Sequence, residues 1–186
     1  MKRLLVLEGS PRRRGNSGAL ADVLCASLKD WQIQRVAVST KKIGGCLACD
    51  RCWSRDGQPC VQGDDMNALC LEIEAADVVA FVTPMYYFGF PTQLKAVIDR
   101  LYPYCKDNRP RSISGKQCLL LACGATDDPE EFHPLLENYR VLARYLEWED
   151  MGALAAHGVY ERGAIEGTSW LGQAEALAEM LNAKLL

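Results

Sequence analysis

The chain has 186 residues, 49% hydrophobic and 24% charged, a composition that suits one α/β domain over 1–186, able to bury its core without disulfide or metal staples. A net charge of −3 gives no footprint for nucleic acid or an anionic membrane, and the short run Arg12-Arg13-Arg14 does not alter that. No apolar stretch reaches membrane-spanning length, and the run Leu4–Leu7 stops at Glu8, too early for a signal-peptide core, so a cytoplasmic protein is expected.

Taken in chain order, strands and helices alternate. Leu4–Leu7 is a short apolar run ended by Gly9-Ser10-Pro11 and reads as a buried strand. Asn16-Ser17 is placed to cap a helix running to Trp31, with Leu20, Val23, Leu24 and Leu28 on its apolar face. Arg35–Val38 is a shorter second strand. Ser39–Gly63 is a long connection with four cysteines and four glycines, a length that usually carries function. Asp64 or Asp65 caps a helix to Ala75, and Val78–Val82 has the unbroken apolar pattern of a central parallel strand. Thr92–Leu101 is helical, Gln117–Cys123 is an apolar strand, and Pro129–Leu146 is a helix capped by Asp127 or Asp128. Met151–Ala156 is a weak last strand, and Ser169–Leu185 closes the chain as a helix. This alternation calls for a five-stranded parallel sheet with helices on both faces, in the doubly wound order 2-1-3-4-5. Ligands of such sheets sit at the carboxyl ends of the strands beside the switch point between strands one and three. That rule selects three loops, 9–17, 83–91 and 124–128.

The first loop, Gly9-Ser10-Pro11-Arg12-Arg13-Arg14-Gly15-Asn16-Ser17, joins a buried strand to a helix N-terminus. Free N–H groups and the helix dipole attract an anion there, and Ser10, Arg12, Asn16 and Ser17 add donors and charge. The loop lacks the Lys-Ser/Thr ending of nucleoside triphosphate loops and the GxGxxG dinucleotide pattern, so a monophosphate end group fits better. On spacing alone, a surface loop before a capped helix accounts for the same residues.

Gly-Ser-Pro-Arg-Arg-x-Gly-Asn-Ser resembles the signature of the NAD(P)H-dependent FMN reductases and iron–sulfur flavoproteins of the flavodoxin-like superfamily. So do Thr83-Pro84-Met85-Tyr86-Tyr87, the following Leu94-Lys95-x-x-Ile98-Asp99-Arg100, the block from Cys46 to Asp64-Asp65-Met66, and the segment Gly158–Gly167. The resemblance implies a flavodoxin-like fold, with FMN held by its phosphate at Ser10, Arg12, Asn16 and Ser17. It further implies that Pro84, Met85, Tyr86, Tyr87, Phe88 and Gly89 contact the flavin ring, with Gly124 in a second wall. Taken alone, four aromatics after a strand suit core or subunit contact as well. No catalytic side chain is expected, because the flavin carries the chemistry. His133 reads as solvated and His157 as bland.

Of nine cysteines, Cys25, Cys70, Cys118 and Cys123 sit among apolar residues and read as small buried hydrophobes. Cys46, Cys49, Cys52 and Cys60 follow C-x2-C-x2-C-x7-C. The first three match the compact run that binds [4Fe-4S] in ferredoxins, although the fourth comes late and lacks the following proline. A cluster, a zinc ion, or thiols without metal all remain open. A turn at Asp56-Gly57 would bring Cys60 back toward Cys49, and the segment is expected to fold over the flavin end of the sheet. The implied activity is electron transfer from NAD(P)H through FMN to a quinone, a flavin or another small acceptor, in a homodimer or homotetramer. The alternative is an electron-transfer protein that takes its electrons from ferredoxin.

Overall fold

A computed structural model describes residues 1–53, 57–105 and 111–185. Its elements are β1 (Arg3–Glu8), α1 (Asn16–Ser27), β2 (Gln32–Ala37), α2 (Met66–Ala75), β3 (Val78–Pro84), α3 (Thr92–Asp99), β4 (Gln117–Cys123), α4 (His133–Tyr145), β5 (Glu149–Ala156) and α5 (Ser169–Leu185). The five strands form one parallel sheet in the order β2-β1-β3-β4-β5, as expected. β3 sits at its centre, in register with β1 from Leu4↔Val78 and with β4 from Val78↔Gln117.

Side chains of a strand alternate between the two sheet faces, so each face has its own core. Leu5, Leu7, Val79, Phe81, Cys118 and Leu120 pack under α2, α3 and α4. Leu4, Val6, Val78, Ala80, Val82, Leu119 and Leu121 pack under α1 and α5. With both faces covered, β3 needs to be apolar throughout, which explains why Val78–Val82 is unbroken.

Differences from the expected elements lie at their ends. α1 stops at Ser27 rather than Trp31. Leu28 leaves helical dihedrals, and Trp31 turns inward to bury its ring and donate Nε1–H to Asn182 on α5 at 2.8 Å. β2 runs from Gln32 to Ala37 instead of Arg35–Val38, because an edge strand keeps its ladder while Gln32, Gln34 and Arg35 face solvent. Val38 instead opens a short 3₁₀ turn to Thr40. α3 ends at Asp99, and Arg100 and Leu101 form its closing turn. The fourth helix begins as a 3₁₀ turn, Pro129–Phe132, capped by Asp128, whose Oδ1 accepts from Glu130 N–H at 2.9 Å. β5 starts earlier than expected, at Glu149, and carries a register shift beside Gly152, where φ is +129°. Cys70, Cys118 and Cys123 are buried, whereas Cys25 is only half-buried. Among the described residues, no helix is long and apolar enough to cross a membrane.

Candidate functional site

The carboxyl ends of β1, β3, β4 and β5 surround a cleft of about 180 Å³. Three segments line it: Ser10, Arg12, Gly15, Asn16 and Ser17 from the first loop, Pro84, Met85 and Tyr86 after β3, and Cys123, Gly124 and Ala125 after β4. These are the three loops that the switch-point rule selects. Backbone bonds lock the loops together: Gly9 N–H donates to Val82 O at 2.8 Å, Met85 N–H to Cys123 O at 2.7 Å, and Gly124 N–H to Ala156 O at 2.9 Å. A β-carbon on Gly124 would come within 2.9 Å of the Phe132 ring and 3.5 Å of Met85, so only glycine lets this strand end lie so close.

A fourth wall comes from the loop after β5, through Val159, Tyr160 and Arg162. The resemblance touches this segment, but no residue in it was expected at the site. Asn16 supplies the link. Its amide does not cap α1, which starts from Gly15 without a side-chain cap. Instead Nδ2 donates to Glu161 O at 2.9 Å and Val159 O at 3.3 Å, and Oδ1 accepts from Gly163 N–H at 3.1 Å and Ile165 N–H at 3.4 Å. Arg12 reaches the same loop, donating through Nη1 to Tyr160 O at 3.4 Å, with its guanidinium 5.8 Å from the Tyr160 ring centre. The usable signal for this wall was its loop position after the last strand.

With Arg12, Arg162 and the first N–H groups of α1 converging, the cleft is electropositive, which suits a phosphate. Its lining contains no carboxylate or imidazole among the described residues. Cys123 lies at the floor, where burial pushes its thiol up to about 11 and keeps it neutral. Tyr87, Phe88 and Gly89 do not line the cleft. Tyr86 and Gly89 exchange both backbone bonds around a tight turn whose central residues, Tyr87 and Phe88, take φ of +44° and +64°. That geometry carries Tyr87 away from the sheet to full exposure, with Phe88 about half exposed. His133 is exposed, and His157 packs edge-on against Trp170 with ring centres 4.9 Å apart.

The cysteine segment does not cover this cleft, contrary to expectation. Cys46, Cys49, Cys52 and Cys60 line a separate small hollow against the end of α3, with Arg100, Tyr102 and Pro103. The Trp53 ring rests on Tyr102 with centres 4.4 Å apart and donates Nε1–H to Tyr102 O, which draws the segment toward α3 rather than over the sheet. The Asn67 side chain holds Cys60 on both backbone atoms, at 2.8 and 3.1 Å. Gly57 has φ of +93°, and Asp56 lies outside the described residues. Burial raises the pKa of Cys52, and the neighbouring thiols of Cys60, Cys46 and Cys49 add to the rise. The backbone and side chain of Arg51 lower that of exposed Cys49. Among the described residues no three His, Cys, Asp or Glu side chains are gathered for a single metal ion. Tetrahedral zinc needs all its sulfurs about 2.3 Å from one centre. A [4Fe-4S] cluster spreads four thiolates over four irons and asks for less closeness. The shared hollow suits the latter better.

An iron–sulfur flavoprotein of Archaeoglobus fulgidus is 36% identical over 110 residues, 58% of this chain and 48% of that protein. The chain spans about half the length of the first curated relatives it matches. An FMN-dependent NADH:quinone oxidoreductase of Bordetella avium is 28% identical over 203 residues, covering 97% of this chain and 98% of that one. Among solved structures, an NAD(P)H:quinone oxidoreductase from Methanothermobacter marburgensis superposes with a TM-score of 0.70 at 18% identity, over 97% of this chain and 96% of that one, and shows a shared fold. The profile of the NADPH-dependent FMN reductases matches residues 2–131, a stretch that contains three of the cleft's four walls and all of the cysteine segment. On that match, together with the strand order, the chain belongs to the NADPH-dependent FMN reductase family.

Proposed function

We propose that the whole chain, 1–186, acts as one FMN-binding domain that takes electrons from NAD(P)H and delivers them to a small acceptor such as a quinone or a free flavin. The observation that carries this reading is the convergence of the α1 N-terminus, Arg12, the backbone after β3 and the glycine-constrained end of β4 on one cleft. Bound FMN would supply hydride acceptance and onward electron transfer. The protein's part is to bind and orient. Arg12, Ser10, Ser17 and the first N–H groups of α1 are suited to hold the phosphate, with Arg162 adding charge. Pro84, Met85, Tyr86 and Gly124 are suited to seat the ring, and Tyr160 stands exposed at the mouth. Asn16 acts through the loop it ties down, so it is a positioning residue here.

The first experiment is Arg12→Ala. Arg12 is exposed, so the fold should survive its loss. A charge-assisted bond is worth about 1.5–3 kcal/mol, so FMN should bind at least tenfold more weakly, measured by quenching of flavin fluorescence. Unchanged affinity would remove the phosphate assignment.

A second reading is favoured by one observation, the four cysteines lining a common hollow beside a buried guanidinium. In it the cysteines hold a [4Fe-4S] cluster and ferredoxin is the donor. Protein prepared without air then contains iron and sulfide near four each per chain. A reducing cytoplasmic setting would suit nine free thiols. A homo-oligomer is supported by the exposed aromatic tip Tyr86–Phe88, and sedimentation equilibrium tests it.

A further inference from the structure

Among the described residues Arg100 is the one fully buried charged side chain, and the cleft makes no use of it. Its side chain is 1% exposed at the closing turn of α3, and it lines the hollow of the four cysteines. One nitrogen does all its described bonding. Nη1 donates to Asp64 Oδ2 at 2.5 Å and to Gly44 O at 3.2 Å. Nε and Nη2 are buried without a hydrogen-bond partner among the described residues. Burial by itself would lower the pKa of Arg100, but the contacts with Asp64 and Cys60 outweigh it and keep the group charged.

A structural strut would need less. Tying residue 44 to Asp64 takes one charged nitrogen, and a lysine would provide it. The planar fork has two donors left over for acceptors on the cysteine side, where it already faces the Cys60 thiol. Arg100 interacts with the Cys60 thiol and lines the same hollow as Cys46, Cys49 and Cys52. Four thiolates with a [4Fe-4S] core make a net anion, and hydrogen bonds to its sulfurs together with local charge set its potential.

We infer that Arg100 is the charge-compensating, potential-setting residue of the cysteine site, its Nε and Nη2 donors serving the sulfur atoms of an anionic iron–sulfur group. The inference rests on the cluster reading above. Asp64 is its positioning partner, with Oδ1 accepting from Met66 N–H at 3.2 Å at the start of α2 while Oδ2 takes Arg100.

The test uses the full chain reconstituted anaerobically with iron and sulfide, as wild type, Arg100→Gln, Arg100→Lys and Asp64→Asn. Iron, sulfide and FMN are counted per chain, and the cluster potential is read by redox titration with electron paramagnetic resonance. Arg100→Gln should lose the cluster while keeping FMN, or keep it at a more negative potential. Arg100→Lys restores the charge without the fork, so it should recover only part of that change. Asp64→Asn leaves the guanidinium and deletes a negative charge, so its cluster should titrate at a more positive potential. Arg100→Gln with wild-type iron, sulfide and potential would overturn the inference alone. If Arg100→Gln loses FMN as well, it has misfolded and Asp64→Asn decides, an unmoved potential overturning the inference. Wild-type protein that takes up no iron or sulfide overturns the cluster reading and this inference with it.

Discussion

At the scale of single residues, Asn16 shows how one side chain joins two parts of a site that lie far apart in sequence. Its amide satisfies two carbonyls and two N–H groups of the loop that follows β5, about 145 residues on. Removing it leaves buried backbone groups unpaired, and each such group costs about 1–3 kcal/mol. Asn16→Ala should therefore lower the urea midpoint of the flavin-free protein by an amount equivalent to about 1–3 kcal/mol, as well as weaken FMN binding. Weaker FMN binding with an unchanged midpoint would show that Asn16 touches the phosphate directly and holds no loop. The sequence placed that asparagine in the loop that lines the cleft, but not in this role. An amide beside a helix start reads locally as a cap, and its true partners are long-range. Tyr87 and Phe88 differ: the family resemblance implied ring contact for them, while their aromatic character alone suited core or subunit contact, and two consecutive positive φ values hold them outside the cleft lining.

At the scale of elements, β3 is the spine on which everything is placed. Phe81 is fully buried there, with the rings of Phe90, Trp148 and Tyr139 between 6.1 and 6.2 Å away. Phe81→Ala opens a cavity under α3 and α4 and should cost about 3–5 kcal/mol, read by chemical denaturation. A loss below about 1 kcal/mol would mean that the sheet face collapses around the gap. Among the central strands, β4 was legible end to end and β3 lacked only its last two residues, Thr83 and Pro84, because burial on both faces forces a continuous apolar run. The edges were harder. β2 and β5 mix polar residues into their ladders, since an edge strand has one free side, and they start three and two residues earlier than expected. The end of α1 depended on Trp31 finding Asn182 on α5, a contact no local window contains.

At the scale of the whole molecule, α3 separates two sites. It begins just past the loop that brings Tyr86 to the cleft and ends at Asp99, one residue before Arg100 beside the cysteines, eight residues or about 12 Å of helix. The switch-point rule foresaw the cleft, because strand order alone decides where the strand ends diverge. The position of the cysteine hollow was not foreseeable in the same way, since a long connection carries no period and is placed by contacts such as Trp53 on Tyr102. The most direct measurement of the central claim is anaerobic stopped-flow mixing of the FMN-loaded protein with NADPH or NADH, following the flavin absorbance band. The account predicts that at least one nicotinamide bleaches the band, and that a quinone added afterwards restores it. A band that neither nicotinamide bleaches, but that reduced ferredoxin does, would contradict it.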